Sequence, residues 1–173
     1  MQPFEHQADA IEAAVSSLQE RQQALVIMAT GLGKTLVAAS ILKRLKKRRI
    51  HLRNLVLCHD TEILEQSEPT FRAIIGKSAD IGYFTGTTKT GPRAEIVFST
   101  FQTLRGWKEA FAPCEFDLVT VDESHHSQAP TYKDVIEYFS GALLLGLTAT
   151  RERMDGKDIA DIFGEPVFTL PLE

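Results

Sequence analysis

The sequence predicts an α/β fold in which helices cover both faces of a doubly wound, mainly parallel β-sheet. Short, continuously apolar segments alternate with amphipathic segments along the 173 residues. This alternation is typical of parallel strands that are joined by right-handed helical crossovers. Polar or glycine-rich residues follow directly after several of the apolar segments. The functional loops of such folds lie at the carboxyl ends of the strands, so these residues are the first candidates for a site.

The predicted elements follow one another in a regular order. The first helix is predicted from Glu5 to about Gln22, because Ile11, Val15 and Leu18 share one helical face. The predicted strands are Ala24–Met28, Asn54–Cys58, Ile81–Phe84, Glu95–Ser99, Asp117–Val121 and Ala142–Leu147. The other predicted helices are the segment after Thr35 up to about Lys47, Thr61–Ile75, Phe101–Trp107 and Thr131–Phe139. No repeat or linker interrupts this order, so residues 1–173 are predicted to form one domain.

Composition excludes several classes of protein. Hydrophobic residues make up 43% and charged residues 24% of the chain, which are ordinary values for a soluble globular protein. No apolar run approaches the roughly 20 residues that cross a bilayer, and the first residues lack the features of a secretory signal. Cys58 and Cys114 are interpreted as buried free thiols. We therefore expect a cytoplasmic protein with no membrane partner.

Basic residues are unevenly distributed, although the net charge is −4. Seven of the 19 Lys and Arg residues fall within eleven positions: Lys43, Arg44, Lys46, Lys47, Arg48, Arg49 and Arg53. Such a run can bind phosphate groups. Alternatively, its cations complement the negative end of a helix dipole, and this is the interpretation that we prefer.

The segment Gly31-Leu32-Gly33-Lys34-Thr35 lies between a predicted buried strand and a predicted helix. Glycines let the backbone curl until its amides point at phosphate oxygens, and the positive end of the next helix faces the same anion. Lys34 would contact the β- and γ-phosphates of ATP, and the Thr35 hydroxyl would bind Mg²⁺. The strict P-loop pattern has glycine six residues before the lysine, where this chain has Met28. The alternative is a glycine turn that only caps the helix.

Two adjacent carboxylates, Asp122 and Glu123, follow another predicted strand. Asp122 would hold Mg²⁺, and Glu123 would orient and activate the attacking water. His125 would form a hydrogen bond near the γ-phosphate or to the neighbouring loop. The acids together with His125 and His126 could in principle bind a transition metal, but four neighbouring positions on one loop seldom converge with tetrahedral geometry. A solvated strand end is the remaining alternative.

A last polar motif, Thr148-Ala149-Thr150, follows the strand Ala142–Leu147. Its two hydroxyls could form hydrogen bonds across to the loop of Asp122. Ordinary capping of the next segment explains the same residues equally well.

In their order along nearly the whole chain, these motifs resemble those of the first RecA-like P-loop domain of superfamily 2 helicases and translocases. Segment 29–35 resembles motif I, segments 55–59 and 64–66 motif Ia, and segment 97–104 motif Ib. Segment 122–126 resembles motif II in its Asp-Glu-x-His form, and segment 144–156 resembles motif III and its sequel, with Arg151 where proline is common. The paired histidines and the Leu-Thr-Ala-Thr element resemble the motor subunits of type I and type III restriction enzymes more than DEAD-box RNA helicases.

The resemblance implies roles for further residues. The nucleotide-binding set would be Gln7 (at the adenine), Thr30, Gly31, Leu32, Gly33, Lys34 and Thr35. Phosphate contacts to DNA, double-stranded or partly single-stranded, would come from His59, Ser99, Thr100 and Gln102, since such groups position a backbone without reading sequence. Thr148 and Thr150 would couple the nucleotide state to domain movement.

The resemblance also implies a partner, because the family's motor uses a second RecA-like domain whose arginine enters the ATP site. Such an arginine can contribute about 10³ to 10⁵ in rate. We therefore expect this chain alone to bind nucleotide, to hydrolyse it slowly and not to unwind a duplex. Two other hypotheses compete: another P-loop phosphotransferase, which would need an acceptor pocket and a lid, and a nucleic-acid clamp that uses ATP structurally. Intact Lys34, Asp122 and Glu123 argue against the clamp, because a clamp could dispense with Glu123.

Overall fold

The computed structural model describes residues 3–122, 129–149 and 160–171, without the side chains of residues 129–132. The strands within these residues are β1 Gln23–Met28, β2 Asn54–Cys58, β3 Ile81–Phe84, β4 Lys89–Thr90, β5 Ile96–Thr100, β6 Leu118–Asp122, β7 Leu143–Thr148 and β8 Pro166–Leu170. The helices are α1 Glu5–Arg21, α2 Lys34–Lys46, α3 Thr61–Ile75, α4 Phe101–Trp107, α5 Ala129–Tyr138 and α6 Ala160–Phe163. A short 3₁₀ turn, Lys108–Ala110, follows α4.

The described strands form one eight-stranded sheet in the order β4-β3-β5-β2-β6-β7-β1-β8. Strand β4 runs antiparallel to β3, and every other pairing in the sheet is parallel. The predicted α/β fold with a mainly parallel sheet is therefore confirmed. Parallel strands end at the same edge of a sheet, so β1, β2, β5, β6 and β7 all end along one edge.

Both faces of the sheet are buried, which explains why its strands are continuously apolar. Alternate residues of a strand point to opposite faces: in β1, Val26 and Met28 belong to one core cluster, while Leu25 and Ile27 belong to the other. Helices α1, α2 and α3 cover the first cluster, and α4, α5 and α6 cover the second. Burial of each such side chain contributes about 1.5–3 kcal/mol, so the sheet is a rigid support for the loops at its edge.

The predicted elements differ from the observed ones mainly at the sheet's edges. Strands β4 and β8 and helix α6 were not predicted. Strand β4 has only two residues, and β8 begins at a proline and is only partly buried along its length, so neither gives a continuous apolar signal. The prediction that Cys114 is buried is wrong: it is exposed, whereas Cys58 is buried. Among the described residues, no helix has the length and apolar character needed to cross a membrane.

The basic run lies at the end of α2 and in the segment before β2, at the sheet edge opposite to the loops that follow the strands. Four of its members pair with carboxylates: Arg44 with Glu12, Lys46 with Glu95, Arg49 with Asp117, and Arg53 with Glu115. Three of its lysines and arginines fall in the last turn of α2. This arrangement supports the structural interpretation of the run over the phosphate-binding one.

Candidate functional site

The glycine-rich loop curls between the end of β1 and the start of α2. Gly31 and Gly33 both have φ of 86°, a left-handed conformation that glycine adopts at little cost. The Leu32 amide donates to the Ala29 carbonyl at 3.2 Å, which closes the turn. Gly33 is the N-cap of α2, and its carbonyl accepts the Val37 amide at 3.0 Å. The loop therefore ends where the positive pole of α2 begins.

Gln7 attaches this loop to the first helix. Its side chain is 5% exposed, its Nε2 donates to the Leu32 carbonyl at 2.9 Å, and its Oε1 accepts the Phe4 amide at 2.9 Å. A Cβ atom on Gly33 would collide with Nε2 of Gln7. The loop is thus fixed both by its own backbone and by α1, while the predicted contact of Gln7 with adenine stays a prediction.

Met28, which stands where the strict P-loop pattern has glycine, is the last residue of β1 and has 0% exposure. Its side chain lies in the core cluster under α1 to α3, and its carbonyl accepts a hydrogen bond from Nζ of Lys34 at 3.4 Å. The strand therefore continues through this position, and the curl begins only after Ala29. The Ala29 amide donates to the Leu170 carbonyl of β8 at 3.0 Å, and this hydrogen bond holds the start of the loop.

Lys34, Asp122 and Thr148 are all buried and polar, with exposures of 8%, 9% and 0%. A buried charge is costly unless it has partners, and all three residues make further interactions within the fold. Asp122 pairs in register with Leu147, and Thr148 pairs with Ile27. Three adjacent strands, β6, β7 and β1, therefore end together with these groups at the same edge.

The neighbouring strand β2 ends at Cys58, close to the carboxylate of Asp122. Burial is the main cause that raises the pKa of the Cys58 thiol to about 12, and the negative charges of Asp122 and Asp60 raise it as well. The thiol donates to the Asp60 carbonyl at 2.7 Å. A buried thiol with a raised pKa is a poor nucleophile, so we interpret Cys58 as a structural residue beside the site.

The structure describes only some of the other residues that were predicted for the nucleotide site. Thr35 lies half-buried in the first turn of α2, and Thr30 and Gly31 are exposed. Glu123, His125 and Thr150 lie outside the described residues. The roles of the whole set in nucleotide and Mg²⁺ binding stay predictions.

The four predicted DNA contacts lie where β2 and β5 end. Ser99 is fully buried, and its hydroxyl donates to the Phe84 carbonyl. Thr100 is the N-cap of α4, where its Oγ1 accepts the Thr103 amide at 3.3 Å. Gln102 and His59 are exposed. Both hydroxyls therefore make hydrogen bonds within the protein, and the exposed amide and imidazole are the better placed candidates for a contact with a ligand.

Lys89 and Trp107 form an exposed pair near the four predicted DNA contacts, and the sequence did not predict this pair. The Nζ atom of Lys89 lies 3.8 Å from the centroid of the Trp107 ring. The only signal in the sequence was the turn-like composition of Thr85 to Thr90, which predicts a loop and gives no partner for it.

Comparison with known proteins gives one matching family and several relatives. Residues 1–153 match the sequence model of the family described as "Type III restriction enzyme, res subunit". The type I restriction enzyme EcoAI endonuclease subunit of Escherichia coli is 32% identical over 99% of this chain. The DNA 3'-5' translocase XPB2 of Sulfurisphaera tokodaii is 26% identical over 88% of it. The chain spans 22% and 32% of the lengths of these two relatives.

Solved structures of similar proteins show the same fold. A fragment assigned as the HsdR subunit of a type I restriction enzyme from Vibrio vulnificus YJ016 is 31% identical, with a TM-score of 0.71 over 96% of this chain and 30% of that one. The type ISP restriction-modification enzyme LlaGI is 19% identical, with a TM-score of 0.72 over 100% of this chain and 20% of that one. This chain therefore belongs to the restriction-enzyme res-subunit family and has the RecA-like fold of superfamily 2 helicase motors.

Proposed function

We propose that this chain is the ATP-binding half of an ATP-dependent DNA helicase or translocase of the Asp-Glu-x-His type. In this proposal it hydrolyses ATP with Mg²⁺ when it is paired with a second RecA-like domain. The observation that supports it best is the curled loop of Gly31 and Gly33, which presents Lys34 and the start of α2 at the sheet edge where Asp122 also lies. A glycine turn that only capped a helix would need neither a buried lysine nor a buried carboxylate beside it.

Each group at this edge has a role that its chemistry suits. The loop amides and the positive end of α2 would bind the phosphates, and the Lys34 ammonium would neutralise the charge on the β- and γ-phosphates. The oxygens of Asp122 and Thr35 are the hard donors that Mg²⁺ prefers, so these residues would hold the ion. When bound, Mg²⁺ supplies charge neutralisation at the phosphates. Glu123 would orient the attacking water, and His125 would donate near the γ-phosphate.

DNA as the second ligand is supported by the relatives. The LlaGI structure is a complex with a DNA substrate mimic, and the relative from Sulfurisphaera tokodaii is named as a DNA translocase. On this chain, Gln102 and His59 are exposed where β5 and β2 end. These groups would bind the sugar-phosphate backbone, which positions the strand without reading its sequence.

The first test is a calorimetric titration of this chain with Mg²⁺-ADP, run with wild type and Lys34→Ala. We expect the substitution to weaken binding by at least about tenfold, since a charge-assisted contact contributes about 1.5–3 kcal/mol. The matched control is Lys47→Ala, which removes an exposed lysine at the other end of the same helix. Equal ADP affinity of wild type and Lys34→Ala, with both proteins folded by circular dichroism, would contradict the proposal.

A further inference from the structure

The exposed surface formed by Lys89 and Trp107 has no role in the site described above. Trp107 is the last residue of α4 and is 57% exposed, which is unusual for so large an apolar side chain. The Lys89 ammonium lies 3.8 Å from the centroid of its ring and 5.4 Å from that of Phe84. Among the residues that the structure describes, Lys89 has no carboxylate within ion-pair distance. Its positive charge is therefore available to a ligand.

The backbone segments that carry this pair are held by hydrogen bonds and by packing. Thr85 is fully buried, its amide donates to the Thr88 carbonyl at 2.7 Å, and its Oγ1 accepts the Thr88 amide at 3.1 Å. These bonds close the turn from which Lys89 emerges. Gly86 in this turn faces the Thr103 hydroxyl of α4, so the turn packs against the helix that ends in Trp107. A surface whose parts are already ordered loses little entropy when it binds a ligand.

The register of the sheet places the pair at the edge where β2, β5 and β6 end. One rung of paired residues crosses five strands from β4 to β6: Lys89, Phe84, Ser99, Leu57 and Val121. Val121 directly precedes Asp122, so Lys89 lies near the level of the carboxylate, four strand spacings or about 19 Å away. Gln102 and Thr100, at the end of β5, lie between the two. The Lys89–Trp107 pair therefore extends the row of predicted strand contacts away from the nucleotide loop.

We propose that Trp107 and Lys89 bind an unpaired nucleotide of a single-stranded nucleic acid, with the base stacked on the indole face that Lys89 does not cover and the neighbouring phosphate on the ammonium. An aromatic face beside a cation is the pattern that such strands bind without sequence preference. A duplex keeps its bases stacked inside and presents mainly its backbone, which leaves the indole without a matching partner. This inference deepens the proposed function and depends on it for the presence of a strand at this edge.

Trp107 itself reports the binding, because it is the single tryptophan of the chain. We expect an oligothymidylate of about 15 nucleotides to quench its fluorescence on titration, whereas a duplex of the same length leaves it nearly unchanged. Quenching of equal depth by the duplex would overturn the assignment to an unpaired base.

Variants measure the two contributions by the anisotropy of a labelled oligothymidylate. Trp107→Ala should weaken binding by about 5- to 150-fold, while Trp107→Phe keeps most of the affinity. Lys89→Ala should lower the slope of log affinity against log salt by about 0.7. The matched control is Lys77→Ala, which removes an exposed lysine before β3, at the opposite edge, and should leave the slope unchanged.

A parallel titration with Mg²⁺-ADP separates the failure of this inference from the failure of the proposed function. If ADP binds and the oligothymidylate binds equally to wild type, Trp107→Ala and Lys89→Ala, then this surface is not a strand contact and the nucleotide site stands. If ADP binds and no oligothymidylate does, the inference is likewise overturned. If neither ligand binds, the proposed function fails first and the inference fails with it.

Discussion

Two glycines with the same backbone conformation have different surroundings, and this difference can be measured. Gly31 and Gly33 both have φ of 86°. A Cβ on Gly31 would meet no atom within 4 Å, whereas a Cβ on Gly33 would collide with the side-chain amide of Gln7. Gly31→Ala should therefore cost only the left-handed strain of about 1–2 kcal/mol. Gly33→Ala should lower the free energy of unfolding further and weaken Mg²⁺-ADP binding, because the loop must leave Gln7.

The contribution of Gln7 can be isolated in a double-mutant cycle of Gly33→Ala with Gln7→Ala, measured by urea unfolding. If the collision is the cause, Gln7→Ala will relieve part of the cost of Gly33→Ala and none of the cost of Gly31→Ala. Additive costs for both glycines would mean that the loop and α1 are not coupled through this amide.

At the scale of single residues, sequence could indicate which groups are candidates for a site but not how they pack. The spacing of Gly31, Gly33 and Lys34 predicts a phosphate loop because it depends only on local backbone chemistry. The hydrogen bond of the Ser99 hydroxyl to the Phe84 carbonyl depends on the pairing of β3 with β5. No local sequence pattern predicts such a pairing. The contact between Lys89 and Trp107 was not predicted for the same reason.

Between elements, a charged cluster fastens α3 to β3. The Tyr83 hydroxyl donates to one carboxylate oxygen of Glu68, and Arg72 donates to the other at 2.7 Å. The hydrogen bond from Tyr83 is the main cause that lowers the pKa of Glu68 from its ordinary value of 4.5, with Arg72 adding to it. The ionised carboxylate is thus favoured in the folded chain, which links this helix contact to pH.

Removal of the hydroxyl in Tyr83→Phe should lower the free energy of unfolding by about 1 kcal/mol at neutral pH, because the pair is partly exposed to solvent. A carboxylate with a lowered folded pKa adds stability above its unfolded pKa, and this stability is lost as the pH falls below about 4.5. The difference between wild type and Tyr83→Phe should therefore shrink below that pH in urea unfolding.

The control for this effect is Tyr138→Phe, because the Tyr138 hydroxyl donates to the neutral Phe111 carbonyl at 2.8 Å. Its cost should not change across the same acid range. A Tyr83→Phe cost that is equally independent of pH would show that Glu68 gains nothing from the hydroxyl.

Elements with strong local signals were predicted with correct bounds, and those at the edges were not. Helix α3, with its apolar face, and strand β2, buried on both faces, match their predicted ranges of Thr61–Ile75 and Asn54–Cys58. Strand β8 was missed because half-buried residues at the edge of a sheet give neither a continuous nor an alternating apolar pattern. Yet β8 supports the glycine-rich loop, since its Leu170 carbonyl accepts a hydrogen bond from the Ala29 amide.

At the scale of the whole molecule, Cys58 lies where it can report global unfolding. It is 1% exposed at the end of β2, between β5 and β6 in the interior of the sheet. Burial raises its pKa well above the ordinary value for a thiol, so Cys58 stays in the unreactive neutral form in the folded chain at pH 8. Fraying of an edge strand does not expose it, so its reaction with a thiol reagent requires that the central sheet opens.

We therefore predict that, in a Cys114→Ser background with Cys58 as the sole thiol, pulse labelling rises with urea along the global unfolding transition. A ligand that binds only the folded chain lowers the population of open molecules by 1 + [L]/Kd, or about 100-fold at 100 times Kd. Saturating Mg²⁺-ADP should slow the labelling of Cys58 in the Cys114→Ser protein by this factor, and at the same ADP concentration it should slow the labelling of Lys34→Ala in that background at least about tenfold less. Labelling that does not depend on urea would place the opening of β2 outside global unfolding. If ADP does not slow the labelling, either ADP does not bind or it binds without stabilising the sheet. The calorimetric titration distinguishes these two explanations.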